Sequence, residues 1–438
     1  MTPQSAFMIV GAVDPGRMDG LKLLLESMTT LPGTANPENP IIPFERFKGL
    51  HYARLVILDD QTLEDMWHFD VEVPEFPVTL AFLGDCDGPA DQFLAELESR
   101  AGEGLRTLFS YCKDFEEGTN LLTWMRRHSL PAAANYVNWV GRTVQQVREE
   151  AILREALLRR LRDNPPAGNS LQSIRDELVA HVKASNLMLS KPAATPAHWR
   201  NRNLLHLASL PAALLAFVFV LYLVPVLLIP LAAGLLLLLL LLLRHYEKSE
   251  PEIVIRPPPG HGTMLAALED HDVSNQFTVI GSVKPSAFRR VTLTVVLWLV
   301  DYGARHIYNR GRLGRIQTIH FARWVFLDDK RRVLFASNYD GSLESYMDDF
   351  INKVGWGLNL VFSNGVGYPR TDWLVAHGSK DEQKFKYTLR RHQLPTQVWY
   401  KAYPGLTAFD LARNARVRNG IERKSMADDE VRDWLRDL

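Results

Sequence analysis

The chain has 438 residues, enough for roughly two to four domains of ordinary size, and its 50 Lys and Arg balance 50 Asp and Glu. That neutrality leaves no global field to favour nucleic acid or an acidic polymer as a partner. Two cysteines, Cys86 and Cys112, cannot build a disulfide framework and stand at no metal-ligand spacing, which fits a reducing compartment.

In chain order, no Lys or Arg precedes the short apolar stretch from Ala6 to Val13, so no cleaved targeting peptide is expected. Phe7 to Val13 is an apolar run closed by Asp14-Pro15, the pattern of a buried strand, and Met18 to Met28 carries helical spacing. His51 to Leu58, rich in β-branched and aliphatic residues, predicts a second strand, and Val78 to Leu83 a third. The turn at Asp87-Gly-Pro89 opens a helix with the apolar stripe Phe93, Leu94 and Leu97, and Leu105 to Phe109 is expected to close the unit as a fourth strand. Val144, Val147, Ala151, Leu158 and Leu161 then fall on one helix face among four arginines, which predicts an amphipathic helix laid on something apolar. A second helix, about Leu171 to Leu187, leads into a Pro/Ala-rich linker from Lys191 to Ala197.

From Leu207 to Leu243, 37 residues pass without a charge, and Leu235 to Leu243 is nine leucines in a row. This exceeds the ~20 apolar residues that span a bilayer. Pro225 and Pro230 divide the run into arms from Leu207 to Val224 and from Leu231 to Leu243, reaching about 27 and about 20 Å at ~1.5 Å per residue. Arg200 and Arg202 precede the run and Arg244 and Lys248 follow it, so both ends are expected on the cytoplasmic side. A helical hairpin, re-entrant or thinly spanning, satisfies this. The alternatives are one long tilted helix with the flanking units on opposite sides, and an insert buried in a protein oligomer. Arg256 to Gly262 (RPPPGHG) reads as a stiff, extended connector.

The two flanks resemble each other. FMIVGAVDP from Phe7 recurs as FTVIGSVKP from Phe277, an offset of 270, and HYARLVILDD from His51 recurs as HFARWVFLDD from His320, an offset of 269. Asp87-Gly88 matches Asp340-Gly341, and GLRTLFS from Gly104 matches GLNLVFS from Gly357, both at 253. RRHSLP from Arg126 matches RRHQLP from Arg390 at 264, and that offset continues through Gly141 and Gly405. Matched blocks in one order predict two homologous units, with the surplus residues between Asp60 and Asp87 and between Ser363 and Arg390 placed in loops. The expected organisation is unit one over residues 1–163, a helical linker over 164–203, a membrane hairpin over 204–246, a Pro-rich connector over 247–274 and unit two over 275–438.

The order β-α-β-β-α-β in each unit resembles the ferredoxin-like fold and the dimeric α+β barrel superfamily. The resemblance implies an α+β protein whose two units pack sheet against sheet as a pseudo-twofold barrel. Gly84-Asp-Cys-Asp-Gly88 also fits the G-x-x-D-G pattern of dye-decolorizing haem peroxidases; Ser337-Asn-Tyr-Asp-Gly341 departs at its first position. That likeness implies Asp87 or Asp340 as the acid in peroxide cleavage, Arg54 or Arg323 as its helper, and His128 or His392 as the proximal ligand of a haem. Asp-Gly before a helix is also an ordinary turn and cap.

Period-two alternation places Arg54 and Arg323 on strand faces with Tyr52, Val56 and Leu58 and their counterparts, opposite His51 and His320. A cation among apolar residues needs a partner. It is either an internal carboxylate, with Asp87 and Asp340 the nearest in sequence, or a ligand carboxylate or phosphate, which His51 and His320 would help to bind. The chain contains no Walker loop, Gly-rich dinucleotide turn, HExxH or GxSxG, which disfavours the common nucleotide-dependent, zinc-hydrolase and serine-hydrolase chemistries. The functional expectation is a membrane-anchored protein that binds a small apolar, acyl or acidic ligand between its sheets or where its amphipathic tails meet the lipid bilayer. A haem-dependent oxidoreductase and a non-catalytic scaffold are the alternatives.

Overall fold

The computed structural model describes residues 1–73, 75–166, 170–185, 187–223 and 229–438. Pro225, assigned above to the interruption of the apolar run, and Val224, the end of its first arm, lie outside the described residues. The strands are β1 (Gln4–Ala12), β2 (Thr29–Leu31), β3 (Gly33–Ala35), β4 (Leu50–Leu58), β5 (Thr79–Asp87), β6 (Ala134–Val137), β7 (Ser274–Ser282), β8 (Ile319–Leu327), β9 (Arg332–Asp340), β10 (Thr371–Asp372), β11 (Ala376–His377) and β12 (Val398–Lys401). Helices α1 (Met18–Ser27), α2 (Ala90–Phe109), α3 (Leu121–Arg127), α4 (Val144–Asp163) and α5 (Leu171–Ala184) belong to the first half. The apolar insert forms α6 (Ala197–Leu223) and α7 (Ile229–Ser249), and the second half adds α8 (Pro259–Ala266), α9 (Ala287–His306), α10 (Leu343–Phe362), α11 (Glu382–His392), α12 (Ala408–Glu422) and α13 (Asp428–Arg436).

The architecture is α+β. One sheet has the order β1-β5-β4-β12-β3-β2, another β6-β8-β9-β7, and β10 and β11 form a separate ribbon. The described strands close no barrel; the two main sheets are open and stack face to face. Met8, Val56, Leu58, Ala81 and Leu83 of the first sheet meet Ile280, Val325, Leu327, Leu334 and Ala336 of the second in one buried cluster. On the outer faces, α1, α2 and α3 cover the first sheet and α9, α10 and α11 the second.

The fourth strand of each half is not where the sequence pattern suggested. Leu105 to Phe109 forms the last turns of α2, which runs on through a break at Ala101 (φ −132°, ψ 20°). Helix α10 breaks in the same way at Val354 (φ −142°, ψ 27°). Apolar residues on the helix face toward the sheet (Leu105, Leu108, Phe109) mimic a buried strand over five residues, and periodicity cannot separate the two at that length. The true fourth strands lie after the RRHxLP blocks, and each joins the other half's sheet. β6 pairs antiparallel with β8, placing Ala134 opposite Trp324 and Tyr136 opposite Ala322. β12 pairs antiparallel with β4, placing Val398 opposite Leu55 and Tyr400 opposite Ala53. The two halves thus exchange strands in the same register.

The tail helices settle a further expectation. The apolar face of α4 is covered by α5, α12 and α13, with Leu153, Leu157, Leu178, Val182, Val417 and Trp434 buried together. It does not lie free for lipid. The connector is extended only as far as Pro258, because α8 begins at Pro259.

Helices α6 and α7 are each long and apolar enough to cross a membrane, with mean hydropathy 1.9 and 2.0 over an 18-residue stretch within Ala197–Val220 and within Ile229–Ser249. At ~1.5 Å per residue they reach about 40 and about 31 Å, because both run beyond the uncharged stretch. Both are docked on the second half. Tyr302 donates its hydroxyl hydrogen to Leu207 O of α6 (2.8 Å). At the end of α7, Glu247 accepts from Thr371, Trp373 and Leu374 of the ribbon, and Glu250 from Lys284 and Arg289.

Two outcomes test this arrangement. A protease site placed in the exposed linker at 191–194 should yield two fragments that still comigrate on gel filtration, because each holds a strand of the other's sheet; separation of the fragments would contradict the exchange. The second concerns Lys284, whose ammonium is held down to about 8, chiefly by burial and also by Arg289, against the pull of Glu250. The unfolded chain then binds more protons than the folded one from about pH 8 to about pH 10, so this residue makes stability rise with pH across that window. Lys284→Met should flatten the rise in a melting series at those pH values; an unchanged slope would show that Lys284 does not carry it.

Candidate functional site

The sequence-selected residues Arg54, Arg323, His51, His320, Asp87 and Asp340 converge where the two sheets meet. What brings the histidines there is a register shift at the start of β4 and of β8. Leu50 lies opposite Cys86 and Tyr52 opposite Asp85, so His51 is the extra residue of a bulge. His320 occupies the same place, between Ile319 opposite Tyr339 and Phe321 opposite Asn338. A bulge re-aims a side chain, so strict alternation assigns these histidines to the wrong face.

His51 Nε2 donates to Asp87 Oδ1 at 3.0 Å, and His320 Nε2 to Asp340 Oδ1 at 2.6 Å. The second oxygen of each carboxylate accepts the first amide of a tail helix: Val144 N of α4 at 3.0 Å and Ala408 N of α12 at 2.7 Å. Each Asp therefore ties a strand end, a bulge and a helix N-terminus together, where backbone amides and the helix dipole favour an anion. The glycine after each, with φ 77° at Gly88 and 80° at Gly341, makes the turn that permits this. Tyr403 donates to His51 Nδ1 at 3.0 Å. His320 Nδ1 is buried without a hydrogen-bond partner among the described residues.

The arginines do not pair with Asp87 or Asp340, as the sequence suggested. They reach across the gap between sheets. Arg54 of β4 donates to Phe277 O (2.9 Å), Thr278 Oγ1 (2.8 Å), Ser337 O (2.8 Å) and Asn338 Oδ1, on β7 and β9. Arg323 of β8 donates to Phe7 O (2.8 Å) and Asp85 Oδ1, on β1 and β5. Phe7 and Phe277 are matched positions of the sequence repeat, and so are Asp85 and Asn338. The arrangement is thus repeated in geometry but not in charge, with two guanidinium groups and one carboxylate in a buried layer.

Burial lowers the Arg54 value to about 9, with repulsion from Arg323 adding to it. Burial likewise raises the Asp85 value, against the pull of Arg323. Burial holds the hydroxyls of Tyr52 and Tyr403 well above the ordinary tyrosine range. The decisive partners Asp85, Asn338 and Tyr403 were missed in the sequence. For the first two a signal existed, because they occupy one of the free positions of the two Asp-Gly blocks.

Two small cavities adjoin this layer. One, about 10 Å³, is bordered by Tyr52, Arg54, Asp85, Arg323 and Asn338; the other, about 20 Å³, by His51, His320, Tyr403 and Trp139. Each has room for about one water, less than an acyl chain occupies.

His128 and His392 lie apart from that layer, and neither is set up to ligate a haem. His128 has both ring nitrogens engaged, with Trp124 O at 2.9 Å and Asp114 Oδ2 at 2.6 Å, and its ring stacks on Trp124. His392 Nδ1 lies 3.0 Å from Thr62 Oγ1 and from Ile280 O, while its Nε2 faces Gly367 so closely that a Cβ there would approach to 3.2 Å. Asp87 and Asp340, with both oxygens engaged, are not placed to shuttle a peroxide proton. The donor set does not fit the group. Among the described residues, no cluster of three or more His, Cys, Asp or Glu side chains is arranged to hold a metal ion.

A larger opening, about 250 Å³, lies between the Pro-rich connector and helices α10 and α11. Its apolar surface comes from Phe277, Leu343, Met347 and Leu389 with Pro257 and Pro258, and its rim carries Arg256, Lys386 and Arg390 with Glu344. Arg390 is committed to Glu269 (2.6 and 3.0 Å) and Lys386 to Asp348 and Glu382, whereas Arg256 is exposed. No known protein-family model matches the chain, and no characterised protein matches it in sequence.

Exchange of charge partners tests the layer between the sheets. Arg323→Met should cost about 3–5 kcal/mol, because it strands the Asp85 carboxylate in the interior, and adding Asp85→Leu should recover much of that loss. Asn338→Asp, which gives Arg54 the kind of partner Arg323 has, should raise the melting temperature. Stability unmoved by Arg323→Met would show that the ion pair is not a structural tie.

Proposed function

We propose that this is a membrane-anchored binding protein that takes a small amphiphile with an apolar tail and an anionic head in the groove beneath its proline connector. The supporting observation is the groove's division of labour: an apolar floor of Phe277, Leu343, Met347 and Leu389, and an exposed Arg256 at the rim with no carboxylate engaging it among the described residues. Binding sites commonly run from ~300 Å³ upward, so about 250 Å³ suits a short acyl segment rather than a whole phospholipid. Each buried methylene would contribute about 0.8 kcal/mol. The chain segment forming the roof continues from α7.

In the same reading the two halves descend from one ferredoxin-like unit, duplicated and fused. The exchange of β6 and β12 in equivalent registers supports this. Because the exchange makes the halves one body, a bilayer crossed by α6 and α7 has both halves on one side. The arginines flanking the run favour the cytoplasmic side. The polar layer between the sheets then serves as a structural tie rather than as a reaction centre.

Native mass spectrometry of the full-length protein incubated with undecanoic acid tests the groove. One adduct should form on the wild type, and Met347→Trp, which fills the floor, should weaken binding at least about tenfold. Arg256→Gln should weaken it less, and should do so for the acid but not for the corresponding alcohol. Equal adduct formation on wild type and Met347→Trp would remove the groove as the site.

A further inference from the structure

We propose that α9 lies in the plane of the membrane interface, with Val291, Val295 and Leu299 pressed into the headgroup layer, so that the outer face of the second half docks on lipid. This rests on the reading of α6 and α7 as a membrane hairpin. Helix α9 buries one side, including Leu293, Val296 and Leu297, on its own sheet. Its other side carries Val291, Val295 and Leu299 at 63%, 52% and 42% exposure. Their spacing of four residues makes a continuous stripe along the helix. A polar outer face is what a helix needs if that face meets water.

The hairpin fixes the level at which the stripe sits. Leu207, the first residue of the uncharged run, accepts a hydrogen bond from Tyr302 near the end of α9 (2.8 Å). At the other limit of the run the charges resume at Arg244, and Tyr246 stacks on Phe288 at the start of α9 (5.3 Å between rings, 12° between planes). Both points where the apolar run meets charged sequence therefore rest on α9. Phe288 and Tyr302 are about 21 Å apart at ~1.5 Å per residue, and the exposed stripe lies between them in the helix. An apolar helix face bounded at both ends by the margins of a membrane segment belongs at the boundary of the bilayer.

Neighbouring side chains have the composition of that boundary. Trp298 on α9 is 37% exposed, and Trp373, 49% exposed on the ribbon, lies 5.5 Å from the Arg244 guanidinium. Trp and Tyr concentrate where apolar chains give way to headgroups. Arg290 is exposed, and Lys330 reaches Thr294 of α9 with its ammonium (3.2 Å), so cations border the stripe where lipid phosphates would lie.

The experiment uses the full-length protein in phosphatidylcholine/phosphatidylglycerol vesicles, with an environment-sensitive fluorophore on Val295→Cys, Leu215→Cys or Phe409→Cys in separate samples. The native Cys86 and Cys112 are buried and stay unlabelled. Lipids with a nitroxide at the headgroup or shallow acyl position should quench the label at residue 295 at least about twofold, and a deep nitroxide should quench it less. The label at residue 215 in α6 should be quenched by the deep nitroxide and the label at 409 in α12 by neither. A water-like, unquenched label at 295 with a quenched label at 215 would overturn the interfacial position while leaving the hairpin in the membrane. An unquenched label at 215 would overturn the membrane reading itself. A label at 295 shielded only when the protein is crowded, and untouched by either nitroxide, would assign the face to a second copy of the chain and equally overturn the proposal.

Discussion

Everything in this fold depends on two four-residue strands crossing from one half to the other. β6 completes the second sheet and β12 is the bridge by which β3 and β2 join the first. Neither half is a closed structure by itself. Without β12, the edge of β4 would expose its backbone donors and acceptors, and the apolar cluster that Val398, Trp399 and Tyr400 share with Ala53 and Leu55 would open to water. The exchange also carries the tail helices with it: α4 follows β6, α12 follows β12, and the two pack together beside the strands they leave. The Asp-Gly turns lock this geometry, because one carboxylate holds both the bulge histidine and the first amide of the tail helix.

The layer between the sheets is where the two halves differ in charge. Taking two guanidinium groups out of water is costly unless every donor finds an acceptor. Arg54 makes four bonds to neutral oxygens, and Arg323 makes one to a carbonyl and one to a carboxylate. The excess positive charge is consistent with the lowered Arg54 value, whose main cause is burial. An apolar layer of the same volume could be as stable. What the arginines add is specificity of alignment, since each reaches two strands of the opposite sheet and a slip of one residue would leave those donors without acceptors.

Much of this was legible in the sequence, and the failures have definite causes. Strands β1, β4 and β5, helix α1 and the arginines' position on an inward face followed from composition and spacing, because these segments are rich in apolar residues and carry no competing feature. Leu105 to Phe109 failed because a short apolar run serves equally as the inner side of a helix. β6 and β12 were overlooked because four residues carry too little pattern, although the RRHxLP blocks before them had marked the place. His51 and His320 failed by one residue, since a bulge is invisible to alternation. The partners of Arg54 and Arg323 could not come from their own halves once the strands face each other across the gap. Proximity in sequence was therefore a poor guide to the nearest carboxylate. The groove under the connector depends on where a proline-rich segment lies against α10 and α11, which no local pattern encodes.

The exchange also constrains how the apolar insert can act. A segment placed between two independent domains could let them move apart, or sit on opposite faces of a bilayer. Here the halves share sheets, so the insert must return to the body it left. It does so on the second half, with α6 meeting the end of α9, and α7 meeting its start and the β10–β11 ribbon. The legs are fixed by contacts of different kinds: a tyrosine hydroxyl to a backbone carbonyl at one end, and a ring stack with Glu250 ion-paired to Lys284 and Arg289 at the other. Two anchors on one rigid helix prevent rotation about either leg. The orientation of the strand-exchanged body relative to α6 and α7 is therefore set largely by α9.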